Sequence, residues 1–395
     1  ISGKEREYID EVFSNNHFSG NGPFTKACQE WLENGLGAPL VLLTHSCTGG
    51  LEIASMLAGL GPGDEVITSA NNYWATTMPI LNVGAIPVFG DVDPVFLNLA
   101  PEDVESRITS RTKAIVICHM GGMPCDMDSF KHLSRKYGVK LIEDASHAHA
   151  AAYRGKKIGA WGDVAGFSMQ SSKLMPAGEG GIFVTNEREY LDRAVLLGHY
   201  ERVRDLDDPK IRRFQHTGYG FKHRISPLNA ALGRVALAKL DRRNCQRNNG
   251  IKYLYDQLVE IPGIVPPTIP DYIEPVYYLP GFVIYEPNQL GGLPAYRFVE
   301  ALRAEGALVE DGTPLRHRGG LHTQPMLIER KHWAFEHPAN SESVKRVRYG
   351  AGTLPVTENP SANRITLPRL PRPTEELLNQ YVEAFRKVSV HASEL

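Results

Sequence analysis

Lys173 is the only charged residue between Asp163 and Glu179, in a stretch that reads DVAGFSMQSSKLMPAGEGG over Asp163–Gly181. An ammonium among Ser, Met, Leu and Ala is costly to desolvate, so such a setting favours the free amine, a nucleophile that forms Schiff bases. A lysine that snorkels from a loop would use the same residues. A second candidate group stands 29 positions upstream, where Glu143-Asp144-Ala145-Ser146-His147 follows an apolar run. An acidic pair in that place serves either as an exposed loop or as the partner of a cation. The third is HSCTGGL at His45–Leu51, small and hydroxyl residues between a strand and a helix. Free backbone N–H groups and the positive end of a helix favour an anion there, although a Ser/Thr N-cap has the same residues. It is neither a P-loop nor GxGxxG. An amine, a carboxylate and an anion cradle are the three parts that pyridoxal phosphate needs: a carbonyl-capturing lysine, a partner that keeps the ring nitrogen protonated, and a phosphate cup.

These groups must be positioned by an alternation of short apolar runs and amphipathic segments. Strands are expected at 40–43, 65–68, 85–89, 113–118, 140–143, 164–169 and 181–185, and helices at 3–14, 24–35, 49–60, 101–108, 126–137 and 187–197. NNYWATT (71–77) opens a further helix, in which Tyr73 and Trp74 point in different directions, so at most one faces a given pocket. Repeated strand–helix units predict a mostly parallel sheet with helices on both faces and ligands at the carboxyl ends of the strands. Residues 198–217 lack a period and read as loop. Pro227 and the run AALGRVALAKL predict one helix from Ser226 to about residue 258. Beyond it, strand 282–285, helix 294–305, strand 307–310 and helix 374–388 form a smaller α+β unit. The expected division is 1–245 for the large α/β domain and 246–395 for the small C-terminal one. The irregular stretch 312–365 is long enough to be functional.

The 395 residues are 42% hydrophobic and 22% charged with a formal net charge of −2, so no global basic field points to nucleic acid or an anionic membrane. No apolar run is long enough to span a bilayer. Five scattered cysteines suggest reduced thiols and a cytoplasmic protein. Cys118, His119 and Cys125 lack zinc-ligand spacing, and no metal site is expected.

The order of motifs resembles the DegT/StrS family of sugar aminotransferases, on the type I fold of pyridoxal-phosphate enzymes. The resemblance covers nearly the whole chain, in LLTHSCTGGLEIA, GPGDEVI, GAIPVFGDVDP, IEDASHAHAA, GDVAGFSMQSSKLMPAGEGG and ISPLNAALG. It implies that Lys173 binds the cofactor covalently and moves the proton, and that Asp144 pairs with the pyridinium nitrogen. It places His147 near the ring hydroxyl, Ser168, Thr48 and Gly49 at the phosphate, and Tyr73 on the ring face, with Trp74 left to packing. Lys222 stands where many members have an Asn that reaches the neighbouring subunit's phosphate, two residues before Arg224. A lysine serves there as a point charge. Arg224 and His322, in LHTQP, are the candidate substrate contacts, along with the loop 16–24 and Arg316–Gln324. Sugar 3-dehydratases of this fold carry His in the lysine position, so Lys173 favours transamination. FSMQSSKLMPAGEGG is most similar to ketocyclitol aminotransferases and aminohydroxybenzoate synthase, and VLLTHSCTGGLE to nucleotide-sugar aminotransferases. The implied protein is a homodimer that passes an amino group from glutamate or glutamine to a keto-sugar or ketocyclitol. A lyase, dehydratase or aromatising synthase on the same fold, or a non-catalytic partner subunit, are the other readings.

Overall fold

The computed structural model describes residues 3–36, 40–217, 220–312, 320–359 and 363–395. Its main sheet is built from β1 (Leu40–Thr44), β2 (Glu65–Ser69), β3 (Ile86–Gly90), β4 (Thr112–Cys118) and β5 (Lys140–Asp144). After a hairpin of β6 (Ala152–Tyr153) and β7 (Lys156–Lys157) come β8 (Val164–Ser168) and β9 (Gly181–Thr185). The strand order is β1-β9-β8-β5-β4-β2-β3, with β9 antiparallel to both neighbours and the other pairings parallel. Alternate residues of one strand supply the two apolar layers. In β4, Ile115 and Ile117 join one layer while Ala114 and Val116 join the other. A sheet buried on both faces explains why its strands read as continuous apolar runs rather than as alternating ones.

Helices α1 (Lys4–Ser14), α2 (Pro23–Leu36), α3 (Cys47–Leu57), α4 (Trp74–Asn82), α5 (Pro101–Arg107), α6 (Met127–Tyr137) and α7 (Arg188–Gly198) accompany this sheet. The expected α/β architecture is thus present. The stretch 198–217, expected to be loop, contains a 3-10 turn at Tyr200–Asp205 and a short α8 (Pro209–Arg212), begun by the Asp208 side chain accepting from the Lys210 N–H.

The single helix expected from Ser226 is two: α9 (Pro227–Leu237) and α10 (Leu240–Leu258). Ala238 closes α9 and Lys239, at φ −110° and ψ −5°, is the N-cap of α10. The reason lies in the packing. Ala230, Ala231 and Leu237 of α9 are buried in the core of the main sheet, whereas Ile251, Leu254 and Leu258 of α10 belong to a second core. The turn lets the chain pass from one to the other. The second core holds β10 (Ile264–Val265), β12 (Phe282–Tyr285), β13 (Glu310–Asp311) and β14 (Arg364–Thr366), in the order β10-β12-β14-β13, with α11 (Ala295–Ala304) and the C-terminal helix Glu375–Val390. A third sheet pairs β11 (Ile273–Glu274) with the β6–β7 hairpin.

The strand expected at 307–310 is reduced to Glu310–Asp311, because the Val309 N–H turns back onto the Ala307 carbonyl at 3.0 Å. Residues 321–354 contribute Leu321, Leu327, Phe335, Val347 and Leu354 to the first core. The division drawn at 245/246 therefore falls within α10, and part of 246–395 packs with the main sheet. We propose that the small unit comprises residues from about α10 to 311 and from 363 onward.

Candidate active site

Asp144 ends β5 at the carboxyl edge of the sheet and is 4% exposed. One carboxylate oxygen accepts the Thr76 hydroxyl, from α4, and the other accepts the Ser146 N–H at 3.0 Å. Glu143, one residue earlier, points to the opposite face, as strand alternation requires. It is fully buried, accepts the N–H groups of Gly159 (2.9 Å), Trp161 (2.9 Å) and Gly162 (2.5 Å), and meets His119 Nε2 at 3.2 Å. The acidic pair thus divides into a carboxylate that faces the site and one that ties down the 159–162 turn.

Burial works against the Glu143 carboxylate, but His119 and the Gly162 and Gly159 N–H groups outweigh it and hold its pKa below the ordinary value. A depressed folded value means that the stabilisation is complete above the unfolded pKa of about 4.3 and is lost as pH falls through the folded value. Glu143→Gln is expected to cost about 3–5 kcal/mol, as when one partner leaves a buried ionic network. Thermal unfolding of both proteins from pH 7 to pH 3 checks this, with the gap narrowing as acid removes the wild-type advantage.

Lys173 lies in the connection from β8 to the antiparallel β9, beside the same edge of the sheet. Its backbone N–H bonds the Gln170 carbonyl at 2.9 Å, closing a turn. Among the described residues its side chain forms no ion pair, and its Nζ stands 4.5 Å from the centre of the Tyr278 ring. His147 stacks on that ring, with centroids 4.2 Å apart and planes 24° apart. Burial, then the neighbouring Lys173, His149 and Arg369, push His147 well below its usual pKa, so it stays neutral. Its Nδ1 accepts the Gly121 N–H at 3.3 Å, which fixes the tautomer with the proton on Nε2.

Tyr278 reaches this place from the segment that joins the two cores. Its N–H bonds the Gly121 carbonyl at 3.0 Å, and the Val276 N–H bonds the Gly122 carbonyl at 3.0 Å. Gly122 has φ +94°, and a Cβ there would come within 1.7 Å of the Val276 carbonyl oxygen. Only glycine permits this approach.

The cradle is the start of α3. Ser46 caps it by accepting the Gly49 N–H at 3.1 Å. A Cβ on Gly49 would lie 2.9 Å from His223 Nδ1 and 3.0 Å from His45 Cε1, so a side chain here would crowd both rings. Ser168 ends the neighbouring β8, and its hydroxyl accepts the Gln170 N–H at 3.3 Å. The 220–224 segment runs beside the cradle. Arg224 bridges to Thr44 of β1, and the His45 N–H bonds the His223 carbonyl at 2.7 Å. His223 Nδ1 meets His45 Nε2 at 2.9 Å, and burial followed by the charge of His45 lowers its pKa to about 4.

The other expected residues are placed as follows. Tyr73 is 65% exposed just before α4, while Trp74 is half-buried against the core. Lys222 is exposed, with no ion pair among the described residues. Arg224 pairs with Glu201 and donates to the Ser19 hydroxyl at 3.2 Å, within the 16–24 loop. His322 is fully buried, with Nε2 3.0 Å from Glu358, so it faces a carboxylate of its own chain. Burial opposes the Glu358 charge, yet the Gly352 N–H, His322 and the Leu354 N–H hold that carboxyl down at about 2. Arg316 lies outside the described residues. No disulfide joins the five cysteines, and no group of metal-ligating side chains occurs among the described residues. No helix among them is long and apolar enough to cross a membrane.

Sequence reasoning missed Thr76, Tyr278 and His149. Thr76 and Tyr278 meet the site only through the fold, from positions far from Asp144 and Lys173 in sequence. His149 is 2% exposed, beside the Ser168 backbone. Burial, then the charge of Lys173, pushes it down to about 3, so it remains neutral. Thr76→Val is expected to slow any reaction that depends on the Asp144 charge by about tenfold. A hydrogen bond to a charged group is worth roughly 1.5–3 kcal/mol, and part of the lost bond is replaced by water. Steady-state kinetics of the variant measures it.

The donor set fits the group implied by the resemblance: an amine with no ion pair among the described residues, a buried carboxylate, a glycine-opened helix N-terminus and a buried neutral imidazole. The profile of the DegT/DnrJ/EryC1/StrS aminotransferase family matches residues 1–386. The spore coat polysaccharide biosynthesis protein SpsC of Bacillus subtilis is 28% identical over 396 residues, covering 98% of this chain and 95% of that one. A Micromonospora echinospora protein assigned as an L-glutamine:3-amino-2,3-dideoxy-scyllo-inosose aminotransferase is 35% identical over 291 residues, covering 72% and 68%. The crystal structure of 3-amino-5-hydroxybenzoic acid synthase superposes with a TM-score of 0.77 at 27% identity, covering 99% and 97%.

Proposed function

This chain belongs to the DegT/DnrJ/EryC1/StrS aminotransferase family, and we propose that it moves an amino group from glutamate or glutamine to a ketone carbon of a nucleotide-linked sugar or a cyclitol. The observation that carries this is the placement, at the carboxyl edge of one sheet, of an amine with no ion pair among the described residues, Lys173, and a buried carboxylate, Asp144. The names of the relatives support the acceptor class, one through a polysaccharide and one through an inosose with glutamine as donor.

Pyridoxal phosphate, when bound, supplies an aldehyde that captures amines and a cationic ring that accepts electron density. Lys173 would bind its aldehyde carbon and Asp144 would pair with its ring nitrogen, with Thr48, Gly49 and Ser168 at the phosphate. His147 and Tyr73 would stand beside the ring, and Lys222 would be offered to a second copy in a homodimer. Thr76 and the Ser146 N–H take one carboxylate oxygen each and so aim the buried Asp144 side chain. Lys173 Nζ takes the proton from the reacting carbon of the donor and later returns one to the acceptor carbon. His147, neutral and held through Nδ1, offers its Nε2–H as a fixed donor. Tyr278 and Leu279 form one wall beside the amine.

The retained Lys173 favours this reading over a dehydratase that carries His there and, with Asp144 and Ser168, over a non-catalytic subunit; a lyase or aromatising synthase would keep the lysine and is separated by its products. The test is a panel of keto-sugar nucleotides and inososes, each assayed with glutamate and with glutamine. One oxo acid formed per amine transferred supports transamination. Water released without net amine transfer would contradict it. A cytoplasmic location agrees with five unpaired cysteines.

A further inference from the structure

A cleft of about 170 Å³ opens beside Lys173, between Ser172–Leu174, the connector 277–280, the strand exit 368–371 and α10. Its lining includes three cations, Lys173, Arg247 and Arg369, together with hydroxyls from Ser172, Tyr277 and Tyr278, and contains no Asp or Glu. Neither Arg247 nor Arg369 forms an ion pair among the described residues. Arg247 donates only to a neutral oxygen there, Asn244 Oδ1, at 3.1 Å.

Two of the cations, Lys173 and Arg369, face one aromatic ring. Lys173 Nζ is 4.5 Å and the Arg369 guanidinium 6.0 Å from the Tyr278 ring centre, and the Tyr278 hydroxyl lies 3.2 Å from Ser172 Oγ. Like charges gathered without a carboxylate repel one another, and an aromatic face returns only a small part of that cost. An incoming anion relieves it. Asp144 is the nearby acid, but its oxygens are engaged by Thr76 and Ser146 and it does not line the cleft. A guanidinium and an amine beside one ring suit a small molecule with a carboxylate at one end and its reacting carbon at the other.

We infer that this cleft is the subsite for an anionic group of the substrate, with Arg369 as its recognition residue and a carboxylate of the amino-acid donor as its ligand. This rests on the aminotransferase reading and specifies where the donor docks. A phosphate of a nucleotide-linked acceptor has the same charge, so the experiment separates the two.

The cofactor-free wild-type chain and its Arg369→Gln and Arg369→Lys variants are titrated with glutarate, a dicarboxylate without an amine, and with inorganic phosphate, followed by calorimetry. Each is then loaded with cofactor, and KM is measured for donor and acceptor separately. Glutarate binding weakened about tenfold or more in Arg369→Gln and partly restored in Arg369→Lys is expected. Donor KM should rise in parallel, with kcat and acceptor KM little changed. A rise in acceptor KM alone, with phosphate rather than glutarate binding lost, would overturn the donor assignment. Equal binding by wild type and Arg369→Gln, or none by either, would overturn the subsite. Because the titrations need no turnover, they stand even if the chain were to transfer no amine, and loss of transfer with intact glutarate binding would count against the reaction alone.

Discussion

Lys173→Ala is expected to remove covalent cofactor capture and to lower the transfer rate by about 10⁴-fold or more, at or beyond the upper end of what one positioned acid/base contributes. The expectation follows from position. The side chain has no ion partner among the described residues and stands over the Tyr278 ring at the side of a cleft. Its loss removes both the bond-forming amine and the group that carries the proton, and no second lysine lines the cleft. Lys173→Arg keeps the positive charge but cannot give up a proton or form the bond, so it should fail as completely. The fold should tolerate either change, because Lys173 lies in a turn outside the strands. Visible absorbance of the loaded protein and single-turnover transfer measure the effect, and an unchanged melting temperature separates it from unfolding.

Asp144→Asn is expected to slow transfer by about 10³-fold while leaving cofactor capture by Lys173 intact. Asparagine fits the same volume and still accepts from Thr76 or the Ser146 N–H, so the change removes charge more than shape. Opposite charges about 4 Å apart interact by roughly 4 kcal/mol at an effective dielectric of about 20. If that attraction is fully expressed as charge develops, it corresponds to about three decades in rate. Asp144→Glu would keep the charge but overfill a site that is 4% exposed, and it should recover only part of the activity. The signature of the charge is a large fall in kcat with little change in donor KM. A fall in KM affinity alone would point to a role in substrate binding.

Much of the sheet was legible because its strands are buried on both faces and so read as short apolar runs between turn residues. Val164–Ser168 and Gly181–Thr185 show this directly. The break at Ala238–Lys239 was not legible, since AALGRVALAKL keeps a helical period while the packing partner changes from one core to another. The return of Leu321–Leu354 to the first core was hidden because apolar residues in short irregular turns carry no period.

The site divided along the same lines. Lys173 and Asp144 stand in local patterns that name their chemistry, and the six motifs in order supplied the family. The alternation of Glu143 and Asp144 across β5 gives opposite fates to two adjacent carboxylates, which a run of acidic residues does not reveal. Thr76 and Tyr278 are ordinary residues in sequence and acquire their roles only when α4 and the connector are brought to the strand ends. His322 is engaged by Glu358, a partner 36 positions later that no spacing rule links to it.

Reaction of the purified chain with pyridoxal phosphate, reduction with borohydride and peptide mapping by mass spectrometry tests the central claim most directly. One phosphopyridoxyl group per chain on Lys173, with the visible absorbance lost on reduction, is the predicted result. Label scattered over surface lysines at substoichiometric yield, or a full label on a lysine remote from Asp144, would contradict it.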